Sequence, residues 1–312
     1  MTAYIIRRLL AMIPLLLFVS LVVFGLTHLA PGDPAITMVG GRQTTPEVLE
    51  AIRQRYHLNE PLVKQYLLWL GDISRGNLGE SFRHKQEVGA MIVQRLPISL
   101  KLAAGGFLIA MLLAFPLGTL TAVYRNTLLD RLGMVFMVLG GATPVFFSGV
   151  IAILVFSFWL GWLPSTGYGR GLADELVHLI LPCTVLGLSL VALTGRMLRG
   201  NLVEVLDTAY IMVAHAKGLP PRAVVLRHAL KNALIPVVTV ASIQLGYLLV
   251  GAVLIEYTFG LGGLGGLLVS AILDSDYPVV QGITLFMAVI FLVTNLIVDV
   301  TYVVLDPRIR YD

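Results

Sequence analysis

Long stretches without a single charge limit what this chain can fold into more than any other feature does. Residues 9 to 32 contain no Asp, Glu, Lys or Arg, and Arg7 and Arg8 stand just before them. Leu102 to Tyr124 adds 23 uncharged residues, and further apolar runs follow at 132–169, 176–195, 232–255 and 277–298. A helix rises about 1.5 Å per residue, so about 20 residues cross a hydrocarbon core about 30 Å thick. The expected fold is therefore an all-α polytopic membrane protein with six transmembrane helices. A composition of 57% hydrophobic and 13% charged residues agrees, because soluble domains carry nearly twice that charge. The first run is longer than the apolar core of a cleaved signal peptide, so it reads as a retained helix.

Between the spans the character changes. Residues 31–96 hold eight Lys or Arg and seven Asp or Glu, and form an extracytoplasmic insert. Helices are expected there at 46–56 and 61–72, the first opening on Thr45-Pro46 with Glu47 in its first turn. The division that follows is a membrane helix at 1–30, the insert at 31–96, a five-helix core at 97–305 and a cytoplasmic tail at 306–312. The 132–169 run exceeds one span, so its helix ends near Trp159, leaving Trp159 and Trp162 as interfacial aromatics. A short helix is expected near 264–273. With the N-terminus in the cytoplasm, the inner segments carry 12 Lys or Arg and the two short outer loops carry only Arg170. The positive-inside rule thus places both termini in the cytoplasm.

The densest basic stretch lies in the loop 196–232, with Arg196, Arg199, Lys217, Arg222, Arg227 and Lys231. A short helix from an Asp207 N-cap to Lys217 should end at Gly218. Pro220 and Pro221 suit the first turn of the next helix, where a missing N–H costs nothing. At about 100° per residue, Arg227, His228 and Lys231 share one face, and Leu226, Ala229, Leu230 and Ala233 share the other. From these residues alone the loop is either a solvated connector or a docking surface.

Most catalytic chemistry is missing. There is no phosphate loop of the G-x-x-x-x-G-K-[ST] type, no H-E-x-x-H, and the six histidines are scattered. One cysteine, Cys183, permits neither an internal disulfide nor a cysteine cluster. No basic cluster interleaved with aromatics offers a nucleic-acid surface. No metal site and no bound cofactor are expected. Two ionisable residues stand at or in spans. Asp299 is either a functional group or an ion-pair partner of Arg196, and Glu256 either lines an entrance or is a solvated helix end. The lack of a charged relay across the membrane argues against a proton-driven carrier.

Several motifs carry a resemblance. HLAPGDPA, YHLNEPLVKQYLLWL and GNLGESF in the insert, AHAKGL and RHALKNALIP in the loop, and DYPVVQG and LDPRIR near the end occur in one order along the chain. Together they resemble the permease subunits of ABC importers, and more narrowly the dipeptide, oligopeptide and nickel permease family. Where the general loop motif begins Glu-Ala-Ala, this chain has Met212-Val213-Ala214, and Leu261-Gly262 stands where the family usually has Trp-Pro. The resemblance implies a type I importer permease that moves peptides or a similar small solute by ATP-driven alternating access. It further implies partners: a second homologous permease, two ATPase subunits that hold the ATP and Mg, and an external solute-binding protein. On the loop it points to Ala214, Ala216, Lys217, Gly218, Leu219, Pro220, Arg222, Arg227 and His228 as the coupling surface. Glu256 and Asp299 remain candidates for the pathway or gate. The alternatives are a stand-alone secondary transporter, or nickel as the solute.

Overall fold

Each apolar run becomes helix, because a chain segment surrounded by hydrocarbon must satisfy its own backbone polar groups. The computed structural model of the protein describes residues 2–29, 35–36 and 45–305. The tail 306–312, with Arg308 and Arg310, and the 30–34 part of HLAPGDPA lie outside the described residues. The helices are α1 (Thr2–Leu29), α2 (Pro46–Arg55), α3 (Leu62–Ser74), α4 (Val88–Val123), α5 (Leu128–Ala142), α6 (Val145–Trp159), α7 (Leu172–Leu206), α8 (Ala209–Ala216), α9 (Pro221–Thr258), α10 (Leu264–Leu273) and α11 (Tyr277–Leu305). Among the described residues there is no strand, only one isolated bridge between Glu80 and Glu87.

Five helices are long and apolar enough to cross a membrane, and the pair α5 and α6 supplies the sixth candidate. That pair differs from the single helix expected up to Trp159: it is bent by 107°. The cause is local. Pro144 forces Thr143 out of the helical region, to φ −87° and ψ 135°, and donates no N–H of its own. The Thr143 hydroxyl lies 2.8 Å from that of Ser148, across the break. Helix α6 then ends in a wide π turn over Ile153–Trp159. Helix α4 begins at Val88, well before the uncharged run at Leu102, because Arg95 and Lys101 end a hydropathy signal without ending a helix.

The chain forms two compact units, and α4 and α11 contribute to both. Unit one comprises residues 1–98 and 262–296. In it α3 lies on α1, with Tyr66 edge-on to Phe24 and Trp69 tilted against it at centroid distances of 5.4 and 5.5 Å. Its core joins Val88, Met91 and Ile92 of α4 to Leu264 and Leu267 of α10 and to Val279 and Ile283 of α11.

Unit two comprises 99–261 with the end of α11. Helices α5 and α9 both pack on α7, and small residues let α4 and α7 approach closely. A methyl group added at Gly118 would lie 2.8 Å from the Gly195 carbonyl oxygen, and one at Gly187 would lie 2.8 Å from that of Gly106. Gln244 donates to Thr194 across 2.8 Å in the buried contact of α9 with α7.

Candidate functional site

The basic loop folds into a hairpin built from α8 and the first turns of α9. Its start is shifted by one residue from expectation. Asp207 is the last-turn cap of α7, and Thr208, with extended φ −80° and ψ 152°, precedes α8. The reason is that α7 runs unbroken to Leu206, which commits Asp207 to its C-terminal hydrogen bonds, to Val203 O and Val205 O.

The end of α8 follows the expected chemistry. Gly218 has φ +77°, its N–H donates to His215 O at 2.9 Å, and the Leu219 N–H reaches Ala214 O at 3.4 Å. This pair of bonds is a Schellman cap, which requires a left-handed residue and favours glycine. Pro220 and Pro221 then start α9, with Pro221 at its first position. The next turn is wide: Val224–Ala229 forms a π segment before regular helix resumes.

That wide turn changes which residues share a face. Val224 and Ala229, five apart, are both buried, and Ala233 and Val237 continue the stripe at ordinary spacing. Leu226, expected on the packed side, is 62% exposed and stands with the basic residues instead. An extra residue per turn rotates the helix, so a strict 3.6 period misassigns it.

One apolar cluster underlies the hairpin. Ile211 and Ala214 of α8, Val224 and Ala229 of α9, and Leu198 and Leu202 of α7 meet there, with Leu219 packed against them. Three polar ties brace the hairpin and the elements beside it. Asn232 donates to the Tyr210 hydroxyl at 2.8 Å, pinning α8 to α9. Arg125 Nη1 donates to Asp207 at 2.6 Å, an exposed contact that holds the Asp207 carboxyl below the usual carboxylate range. Arg199 grips Asp130 with two bonds of 2.7 Å each. Asp130 is 5% exposed and also accepts the Asn126 N–H at 2.9 Å. This bidentate geometry fixes the turn between α4 and α5 to α7.

With its inner side filled, the hairpin turns one surface outward. Met212, Val213, Ala216, Lys217, Gly218 and Pro220 are exposed, as are Arg222, Arg227 and His228. Of the expected surface residues, Ala214 is buried and Leu219 half-buried, so these two support the surface from beneath. Glu256 does not belong to it. It lies 28 residues beyond His228 on α9, about 42 Å by helix rise. It is 1% exposed, which removes the solvated helix-end reading. Asp299 is half-buried in α11, and Arg196 turns back on its own helix, Nε donating to Ala192 O at 2.7 Å, instead of pairing with it.

Residues 114–311 match the model of the binding-protein-dependent transport system inner membrane component, and residues 1–103 match that of its N-terminal part. The chain belongs to this family. The permease is 40% identical over 315 residues to the putative peptide transport system permease protein of Brucella abortus strain 2308. It is 39% identical over 312 residues to the oligopeptide transport system permease protein OppB of Haemophilus influenzae strain Rd. It is 40% identical over 311 residues to the glutathione transport system permease protein GsiC of Escherichia coli O6:H1. Each match covers 100% of both chains. A solved inward-facing structure of the MetNI methionine ABC transporter shares the fold, with TM-score 0.59 and 19% identity. That match covers 69% of the permease and 96% of the solved chain. The type I importer architecture expected from the sequence is the one observed.

Sequence reasoning missed two acidic residues that organise the permease. Asp130 had a local signal, since Thr127-x-x-Asp130 is a capping-box pattern, and the Thr127 hydroxyl does receive the Asp130 N–H at 3.5 Å. Asp276 had none. It is 2% exposed and accepts from the Ser81 hydroxyl at 2.5 Å, from the Phe82 N–H at 3.1 Å and from the Arg83 N–H at 3.2 Å. Two motifs of the resemblance, GNLGESF and DYPVVQG, are therefore parts of one contact across nearly 200 residues of chain.

Proposed function

We propose that this permease passes short peptides, or a solute of similar chemistry, inward across the inner membrane of a prokaryote. Both termini lie in the cytoplasm, the insert 31–96 faces outward, and the loop 196–232 faces the cytoplasm. It works with a second homologous permease, two ATPase subunits and an external solute-binding protein. ATP and Mg act on the ATPase subunits, and this chain contributes movement without hydrolysis of its own. The full-length similarity to peptide and glutathione permeases supports the cargo class.

The observation that carries the coupling role is the outward surface of the hairpin. Apolar Met212 and Val213, at 61% and 52% exposure, sit beside Lys217 and Arg222 on an element whose other side is fully packed. An apolar centre with a basic rim is the composition of a docking surface. Ala216, Lys217, Gly218 and Pro220 form its turn, and Arg222, Arg227 and His228 extend it. A push on this turn passes through the ties of Asn232, Asp207 and Arg199 into α9, the α4–α5 turn and α7. The solute shifts the inward and outward states only by binding them unequally, and Glu256 and Asp299 are the ionisable residues we place along that path or its gates.

The test is purification of the tagged chain from native membranes in mild detergent, followed by mass spectrometry and by peptide uptake in the intact cell. Recovery of two ATPase subunits with a second six-span permease, and peptide uptake that fails without this chain, are the expected results. A chain that purifies alone and drives uptake from an ion gradient would overturn the importer reading.

A further inference from the structure

Unit one contains a cavity of about 640 Å³ between the end of α1, the insert and the start of α11. Pockets of this size hold small organic ligands. Its lining is acidic and aromatic. Asp72, Glu80 and Glu87 contribute three carboxylates against Lys85 and the histidines His28 and His57, and Trp69 and Tyr277 contribute aromatic rings. Such walls attract an ammonium group twice over, through charge and through the negative face of the rings.

A buried amide sets the same preference. Gln281 of α11 lines the cavity and is 9% exposed. The Thr27 hydroxyl gives its hydrogen to Phe24 O at 2.8 Å, so it can only accept from Gln281, whose Nε2 lies 2.8 Å away. This fixes the amide orientation. The Gln281 Oε1 is then left as an acceptor toward the cavity, with no donor among the described residues. The oxygen is open to the cavity, where water satisfies it when no ligand is bound and an ammonium group would do so with charge assistance. The neighbouring amide is different: Gln65 spends both amide hydrogens on Leu58 O and Glu60 O and its oxygen on His28, so it asks nothing of a ligand.

We infer that this cavity binds the primary ammonium group of a small amine that also carries an apolar part. The free amino terminus of a short peptide has this chemistry, and so does the ethanolamine headgroup of a lipid. The ammonium donates to Gln281 Oε1 and is held by Asp72 and Glu87, and the apolar part lies against Trp69 and Tyr277. The inference rests on the cavity alone and stands whether or not peptides are the transported solute.

The test uses the full-length chain in phosphatidylcholine nanodiscs, with Trp159→Phe and Trp162→Phe so that Trp69 is the remaining tryptophan. The dipeptide Phe-Ala should change Trp69 fluorescence saturably, and N-acetyl-Phe-Ala should not. Gln281→Leu and, separately, the exposed Asp72→Asn should each weaken the response about tenfold, the scale of one charge-assisted hydrogen bond. Nanodiscs containing phosphatidylethanolamine separate the two sources. A dipeptide response that survives there assigns the site to soluble amines. A fluorescence change on adding that lipid, lost in Gln281→Leu, assigns it to the headgroup. Equal responses to the free and acetylated dipeptide, or no response to dipeptide and lipid alike, would overturn the inference. Intact peptide uptake in a chain that fails this binding test would leave the transport reading untouched.

Discussion

Replacing Gly218 by valine should uncouple the permease while leaving it folded in the membrane. Gly218 holds φ +77°, and no heavy atom lies within 4 Å of the position its Cβ would occupy. The substitution therefore meets open space, and its whole effect falls on the backbone. A left-handed conformation costs an ordinary L-residue about 1–2 kcal/mol, with β-branched side chains at the upper end. If the turn relaxes instead, it gives up the bonds to His215 O and Ala214 O, worth about 1 kcal/mol each. Either route reaches at most about 2 kcal/mol, which lowers the ratio of native to relaxed turn by about five- to thirtyfold. The apolar cluster beneath the hairpin is untouched, so the membrane level of the protein should match wild type. Uptake of a labelled peptide, normalised to that level, should fall, with about thirtyfold as the largest drop this change in ratio allows. Asparagine tolerates the left-handed region, so Gly218→Asn should keep most of the uptake. Wild-type uptake by Gly218→Val would refute the role of this turn. An equal loss in Gly218→Asn would show that the backbone angle is not the cause.

Three further outcomes follow from contacts elsewhere. Gly118→Ala should lower stability by about 1–3 kcal/mol, since its new methyl group meets backbone at Gly195, which cannot swing aside as a side chain would. An unchanged thermal midpoint in detergent would contradict the close approach of α4 and α7. Asp276→Asn asks one carbonyl oxygen to replace two carboxylate oxygens bonded by Ser81, Phe82 and Arg83, at a cost of about 1–3 kcal/mol, and limited proteolysis should cut the segment near Phe82 faster. Cleavage at the wild-type rate would deny that latch. The Arg125 contact holds the Asp207 carboxyl below its ordinary value, so its stabilisation is present at neutral pH and disappears as pH falls through the lowered folded value. The difference in thermal midpoint between wild type and Asp207→Asn should accordingly be present at pH 7 and shrink only below about pH 4, where carboxylates ordinarily protonate. A difference that first shrinks near neutral pH would contradict it.

What the sequence discloses depends on the range of the interaction. Spans show because hydrocarbon selects apolar residues one by one, and the Gly218 turn shows because its chemistry is confined to five residues. Pro46 and Pro221 sit at first helical positions, as a local rule requires. Proline inside an apolar run is ambiguous by itself: Pro116, Pro182 and Pro236 remain within helices, whereas Pro144 separates two. Hydropathy treats these positions alike, and only neighbouring elements decide between a tolerated kink and a break. The exposure of Leu226 was hidden because a π turn changes the period without changing composition. The Ser81–Asp276 contact was hidden because its partners share no local pattern, although each lies in or beside a motif that carries the family resemblance.

The wide turn at Val224–Ala229 has a consequence for anyone who grafts or trims this hairpin. Helix α9 runs without interruption from Pro221 to Thr258, so the hairpin and the span are rotationally locked together. Val224 and Ala229 share a face at a spacing of five. Removing one residue between them would turn the segment into ordinary helix and keep the buried stripe in phase, whereas removing one where the helix is already regular would rotate everything before it by about 100° relative to the span. Only that second deletion would swing the side that carries Arg227 toward the apolar cluster. Hairpins exchanged between relatives should therefore be matched in angular phase at this turn before they are matched in sequence.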